Sequence, residues 1–266
     1  MLAVALFGRG RRWSPPAPRC MLVVSCAGPL PTLEPVLRTG GGGTIEVEVC
    51  EPPPAVERLP ERDFWPYVGL TEDLARRVMD AEHDVNVVLT SPGQSVAETV
   101  LDATKRAAAL AEAADGCVRD LFAFRFFGPD TWRVEEPIGD IDVREHIILH
   151  TVPMEDDGSF WIHTHGLVKF GRPEFEIYDL SAGMEEGAAI ALNDMGQYVA
   201  LGALISPNET VGDQAVPLHA RVGEREREHW EDIPALELVD VDEAGRPASG
   251  AERGLKAAWP ELFEDA

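Results

Sequence analysis

Basic residues are scarce in this chain: 23 Lys and Arg stand against 47 Asp and Glu, a formal charge of -24 over 266 residues. After residue 20 no Lys/Arg cluster forms the concentrated basic face that a phosphate backbone or an anionic headgroup layer requires, which argues against nucleic-acid and membrane partners. Cysteine is sparse too. Cys20, Cys26, Cys50 and Cys117 show no Cys-x-x-Cys spacing and are too few to brace a chain of this length, so a reducing cytoplasm is the expected location. No run approaches the roughly 18 apolar residues of a membrane span. Val23-Val24-Ser25-Cys26 fits a lipoprotein cleavage box. However, the apolar stretch before it, Met21 to Val24, is shorter than the roughly 7–15 residues of an export signal.

Apolar residues make up 45% of the chain, enough for a sizeable core. The first twenty residues stand apart: Arg9, Arg11, Arg12 and Arg19 meet no acid, and Pro15, Pro16 and Pro18 interrupt regular structure. This region, 1–20, reads as a disordered basic, proline-rich tail, with Met21 as an alternative start. Residues 21–266 read as a single α+β domain, with a division into two subdomains near 128–142 as the variant.

Within that domain strand and helix signals alternate. Leu22–Cys26 is a short buried strand, Pro29–Arg38 carries Leu30, Leu33 and Leu37 at helical spacing, and Thr44–Cys50 alternates Ile45, Val47 and Val49 with Glu46 and Glu48. The glycines at 40–43 lack the Gly-Lys-Ser/Thr ending of a phosphate loop and precede a strand, so they read as a turn. Pro52, Pro53, Pro54 and Pro60 form a stiff connector to Phe64-Trp65-Pro66-Tyr67, expected to pack over a sheet. Thr71 caps a helix through Met79, and Ser95-Val-Ala-Glu98 is a capping box opening an alanine-rich helix to about Ala114. Between them Asp84–Thr90 is a strand. Cys117–Phe127 reads as one strand with Phe122, Phe124 and Phe126 on one face. A helix over 183–205 has a small-residue stripe including Ala188, Ala191 and Met195, which would let it lie close to a sheet. Strands at 216–222 and 236–239 follow, then a closing helix over 250–259. Arg221 to Trp230 mixes charges of both signs and reads as a solvated face. Hairpins combined with helices predict an α+β fold, with a mixed, largely antiparallel sheet or sheets and helices packed on one face.

Rare residue types crowd together only in Ser159–Leu180. At strand period Trp161, His163 and His165 share one face, while His146, Ile148 and His150 share a face of the run before it. A Pro-Met-Glu-Asp-Asp-Gly turn between the runs predicts a hairpin. Centring it near Asp156 and Asp157 sets His150 opposite His163 and Ile148 opposite His165, whereas a slip of one residue would disperse the imidazoles. His150, His163 and His165 are thus candidate ligands for a divalent metal, with Glu174 and Glu176 as candidate carboxylates. Known frameworks do not fit. The cupin box wants its acid sooner after the second His, the His-x-His zinc peptidase pattern meets Pro173 where it needs Ser, and the paired His-x-Thr of cyclic phosphoesterases is absent. A structural reading makes His163 and His165 satisfied polar residues at a sheet edge, with Gly166 and Gly171 turning the chain and Arg172 holding Glu174 or Asp179.

The run Trp161-x-His163-Thr164-His165-Gly166-Leu167-x-x-Phe170-Gly171-Arg172-Pro173-Glu174-x-Glu176, with Trp259-Pro260 near the end, resembles a signature of uncharacterised bacterial domains of unknown function. The resemblance implies a bacterial cytoplasmic α+β protein and carries no activity. No catalytic set is complete, so the expected function is a soluble acidic protein with a non-enzymatic interaction or regulatory role, whose partner is a protein or a small molecule. No cofactor and no tightly held metal is expected, because the two glutamates follow on a strand whose direction the hairpin does not fix. The alternative is a metal-dependent hydrolase centred on His150, His163 and His165.

Overall fold

A computed structural model describes residues 14–33, 36–38, 42–93, 95–132, 141–154, 158–223, 233–242, 245–248 and 250–263. The chain is α+β and divides into two compact units, one over Pro18–Ile141 and the other containing Asp142–Ala266. Among the described residues no helix is long and apolar enough to cross a membrane.

The first unit is built from β1 (Met21–Cys26), β2 (Val36–Arg38), β3 (Thr44–Cys50), α1 (Ala55–Arg58), α2 (Glu72–Met79), β4 (His83–Ser91), α3 (Val96–Ala113), β5 (Cys117–Asp120) and β6 (Arg125–Phe127). The six strands form one antiparallel sheet in the order β2-β3-β4-β1-β5-β6. Helix α3 buries Val100, Leu101, Ala103, Ala107 and Leu110 and packs against β1, β4 and β5. Its start is fixed as the sequence predicts: the Ser95 hydroxyl accepts from the Glu98 N–H at 3.3 Å. Thr71 likewise accepts from Leu74 N–H at the start of α2.

Four local expectations in this unit need correction. Residues 36–38 form strand β2, not the end of a helix, because β-branched Val36 and its neighbours find a partner in β3 and tertiary pairing overrides a three-leucine spacing. Cys117–Phe127 is a hairpin: Asp120 accepts from the Phe122 and Ala123 N–H groups, an Asx turn that reverses the chain and leaves Phe124 left-handed at φ 50°. Phe64 and Tyr67 are 50% and 80% exposed, so the aromatic group does not pack over the sheet; Trp65 Nε1 donates to the Pro60 carbonyl at 3.1 Å. Finally, ordered packing begins just before Met21. Cys20 is buried and its carbonyl accepts from Leu89 N–H at 2.9 Å, while residues 14–19 have no regular structure. The first thirteen residues of the expected tail, residues 34–35 and Gly40–Gly41 lie outside the described residues.

The second unit contains β7 (Ile148–Pro153), β8 (Phe160–His165), β9 (Glu174–Leu180), α4 (Glu185–Ala200), β10 (Thr210–Gly212), β11 (Pro217–Val222), β12 (Ala235–Val239) and α5 (Glu252–Ala258). The sheet order is β10-β11-β12-β9-β8-β7, and only β9 and β12 run parallel. One face is apolar: Ile162 pairs with Ile177, and Leu218, Ala220, Leu236 and Leu238 are fully buried. Helix α5 sits on this face so closely that a Cβ on Gly254 would lie 2.5 Å from a Leu218 methyl. Helix α4 packs against β7 and β8. Its Gly196 comes within contact of Ile147 and Leu167, the close approach that its small-residue stripe permits. Residues 155–157 of the hairpin turn, and 224–230 of the mixed-charge run, lie outside the described residues.

Candidate metal centre

The β7–β8 register is the expected one: His150 pairs with His163 and Ile148 with His165. Because facing residues of an antiparallel pair project to the same side, this register alone brings three imidazoles together. His150, His163 and His165 each offer a nitrogen, and these nitrogens lie within 4.8 Å of one another. His163 Nε2 and His165 Nε2 are 2.9 Å apart. Around a tetrahedral metal with bonds of about 2.0–2.1 Å, ligand nitrogens stand roughly 3.4 Å apart, so small ring rotations separate the present arrangement from a bound one. His146 does not join them; it ends a 3-10 turn and packs edge-on against Phe170.

The setting is asymmetric. His163 and His165 are each 4% exposed, whereas His150, on the edge strand, is open to solvent. Partial desolvation of its ring by the neighbouring side chains nevertheless holds His150 below the usual imidazole pKa, which favours the neutral form that binds metals. Trp161 stacks on His163 with centroids 3.9 Å apart and on Tyr178 at 5.3 Å, forming an aromatic wall. His163 and His165 lie on the second strand of the sheet, not at its edge, because β9 pairs on their other side.

That pairing also settles the two glutamates, which the hairpin alone left open. Glu176 is the direct partner of His163 and is fully buried. Tyr178 donates its hydroxyl to Glu176 Oε2 at 3.1 Å. Glu174 serves the backbone. Its Oε1 accepts from the N–H groups of Gly166 and Val168 at 3.0 and 3.1 Å, and its Oε2 accepts from Thr164 Oγ1 at 2.7 Å. It thereby fastens the 3-10 turn Leu167–Phe170, which is flanked by left-handed Gly166 and Gly171. Burial nevertheless pushes the Glu174 carboxyl up to about 7, against the pull of those hydrogen bonds. Arg172 holds neither Glu174 nor Asp179; it donates to the carbonyls of Val199 and Gly171.

Three contributors escaped sequence reasoning. Across β12 the residue beside Glu176 is Glu237, and across β11 the residue beside Glu237 is Arg221. Arg221 grips Glu237 with two bonds of 2.8 and 2.7 Å. His150, His163, Glu176, Glu237 and Arg221 therefore form one unbroken polar row across five neighbouring strands. A charged residue in the apolar run Ala235–Val239 was the available signal for Glu237. Gly223 is the third: a Cβ there would lie 1.9 Å from Glu176 Oε1. A cavity of about 10 Å³ is lined by His163, Thr164, His165, Glu174, Glu176, Ile233 and Ala235, a size that suits a single water.

Comparisons of the chain with protein-family models, with curated proteins and with solved structures find no match.

Proposed function

We propose that this protein binds a divalent transition metal through His150, His163 and His165 and uses it for hydrolysis. The convergence of the three nitrogens within 4.8 Å carries the reading. Three protein ligands with one solvent-facing side match an open, catalytic type of site more than a closed structural one. A metal held there would supply an activated water for attack on a carbonyl or phosphoryl centre. The chain supplies three imidazoles, with His150 held below its usual pKa, an aromatic wall of Trp161 and Tyr178, and buried carboxylates beside the rings. The β8–β9 pairing fixes the place of both glutamates, and since neither is among the converging ligand atoms, the reading rests on the three imidazoles. Elemental analysis of the purified, zinc-supplied full chain tests the reading. One metal per chain, lost in His163→Ala along with metal-dependent cleavage of activated esters or phosphate esters, is the expected result; absence of stoichiometric uptake overturns it.

An interaction role without chemistry is the second reading. It is supported by Ile190, Tyr198, Leu201 and Leu204, exposed apolar residues on and just after α4, which such a role would use. Tyr198→Glu should then abolish self-association or partner capture without altering metal content. We also propose a cytoplasmic location, which the resemblance of residues 161–176 to bacterial domains of unknown function supports.

A further inference from the structure

A His ligand presents one nitrogen to a metal only if something fixes its ring and its tautomer, and the polar row indicates what does so for His163. The metal-facing nitrogen is Nε2, since that atom lies 2.9 Å from His165 Nε2. The other nitrogen, Nδ1, is then on the side of the ring away from the cluster. Neutral imidazole carries one N–H, so a metal-ready His163 must hold its proton on Nδ1 and needs an acceptor there. The same tautomer leaves Nε2 free to accept from His165 Nε2–H, which accounts for their 2.9 Å approach.

Of the three buried glutamates around the rings, two are committed elsewhere. Both Glu174 oxygens serve the 166–168 backbone and Thr164, and both Glu237 oxygens serve Arg221. Glu176 is the direct cross-strand partner of His163, at a pairing position where Cβ atoms are roughly 4.5–5.5 Å apart. It also lines the small cavity that His163 and His165 border. Its carboxylate is placed from both sides, with Tyr178 donating to Oε2 and the bare backbone of Gly223 passing beside Oε1.

Resting on the three-histidine reading, we infer that Glu176 is the positioning residue of the centre. Its cross-strand position makes it the acceptor placed to take the Nδ1–H of His163 so that Nε2 faces the metal, and Gly223 lacks a side chain because that carboxylate occupies the space. Gly223 has no left-handed φ and its N–H donates to the Ala235 carbonyl, so its backbone tolerates alanine and only the carboxylate must move. Arg221, by neutralising Glu237, keeps two adjacent buried carboxylates from repelling each other.

The test uses the full chain with cobalt(II) and zinc, together with long-range proton–nitrogen correlation spectra of the histidine rings in the metal-free protein. Wild type should show His163 protonated on Nδ1. Glu176→Gln and Gly223→Ala should both disturb that tautomer signal, weaken cobalt and zinc binding by about 10–100-fold and alter the cobalt absorption bands, while keeping one metal per chain. If Glu176→Gln does not fold, Gly223→Ala carries the same readouts. An unchanged tautomer, affinity and cobalt spectrum in the folded variants overturns the inference and leaves the metal reading intact. Complete loss of metal from folded Glu176→Gln also overturns it, making Glu176 a ligand. A wild-type chain that takes up neither metal sinks the three-histidine reading itself; the tautomer spectra, which need no metal, still decide whether Glu176 orients His163.

Discussion

Each unit carries a six-stranded sheet with buried polar residues on paired strands, but the two groups end differently. In the first unit Ser25 donates to Asp84 Oδ1 at 2.8 Å, and Arg119 pairs with the other oxygen of Asp84. All three are buried in the middle of the sheet, on β1, β4 and β5. Burial pushes the Arg119 guanidinium down while Asp84 pulls it back up. The charge of Arg119 is cancelled inside the sheet, although its Nε makes no hydrogen bond, so the group is closed to solvent. In the second unit the row closes only at the Arg221–Glu237 end and runs outward to His150 on the exposed edge strand. A closed polar group specifies a fold, whereas one that reaches solvent through an imidazole leaves ring nitrogens within reach of the outside, which is the ground of the proposed metal site.

Breaking the closed group should have the largest effect. Asp84→Ala leaves Arg119 buried without its carboxylate and should cost about 3–5 kcal/mol, measured by denaturant midpoint, with metal uptake by the other unit unchanged. Next is the pH dependence of Glu174, which fastens the turn beside the open group. The folded pKa of Glu174, about 7, exceeds its usual 4.5. The stability it contributes is therefore full below pH 4.5 and is lost as pH rises to about 7. The span is roughly 3 kcal/mol. Glu174→Gln should flatten stability across that window while keeping the 166–168 turn; an unaltered pH profile would show that Glu174 titrates normally. Slightly smaller is the effect of metal. Zinc at a hundredfold excess over its dissociation constant should stabilise the chain by about 2.7 kcal/mol, and His150→Ala or His163→Ala should remove that gain but not the fold. The smallest effect belongs to a helix cap. Ser95→Ala should cost about 1 kcal/mol, because the Glu98 N–H loses its acceptor, and an unshifted midpoint would show that the cap is dispensable.

Much of the second sheet could be read from residue order. The hairpin follows from alternation on either side of one turn, and its register follows from the turn position, so the meeting of His150 with His163 was legible in the sequence alone. Capping at Thr71 and Ser95 was legible for a similar reason, since both interactions lie within four residues. Residues 36–38 and 117–127 misled: three leucines at helical spacing and alternating phenylalanines are weak local signals, overridden by pairing with β3 in one case and by the Asp120 turn in the other.

The sequence by itself determined the acidic character, the α+β class, the starts of α2 and α3 and the histidine hairpin, all of which depend on neighbours along the chain. Only the tertiary structure decided which glutamate faces His163, that Glu174 is spent on a turn, that Arg221 answers Glu237, and that Gly223 leaves room for Glu176. Those relations join strands separated by up to 60 or so residues in the parallel pairing of β9 with β12 and the antiparallel pairing of β12 with β11, and a period-two pattern fixes which face a residue takes but not which strand lies beside it.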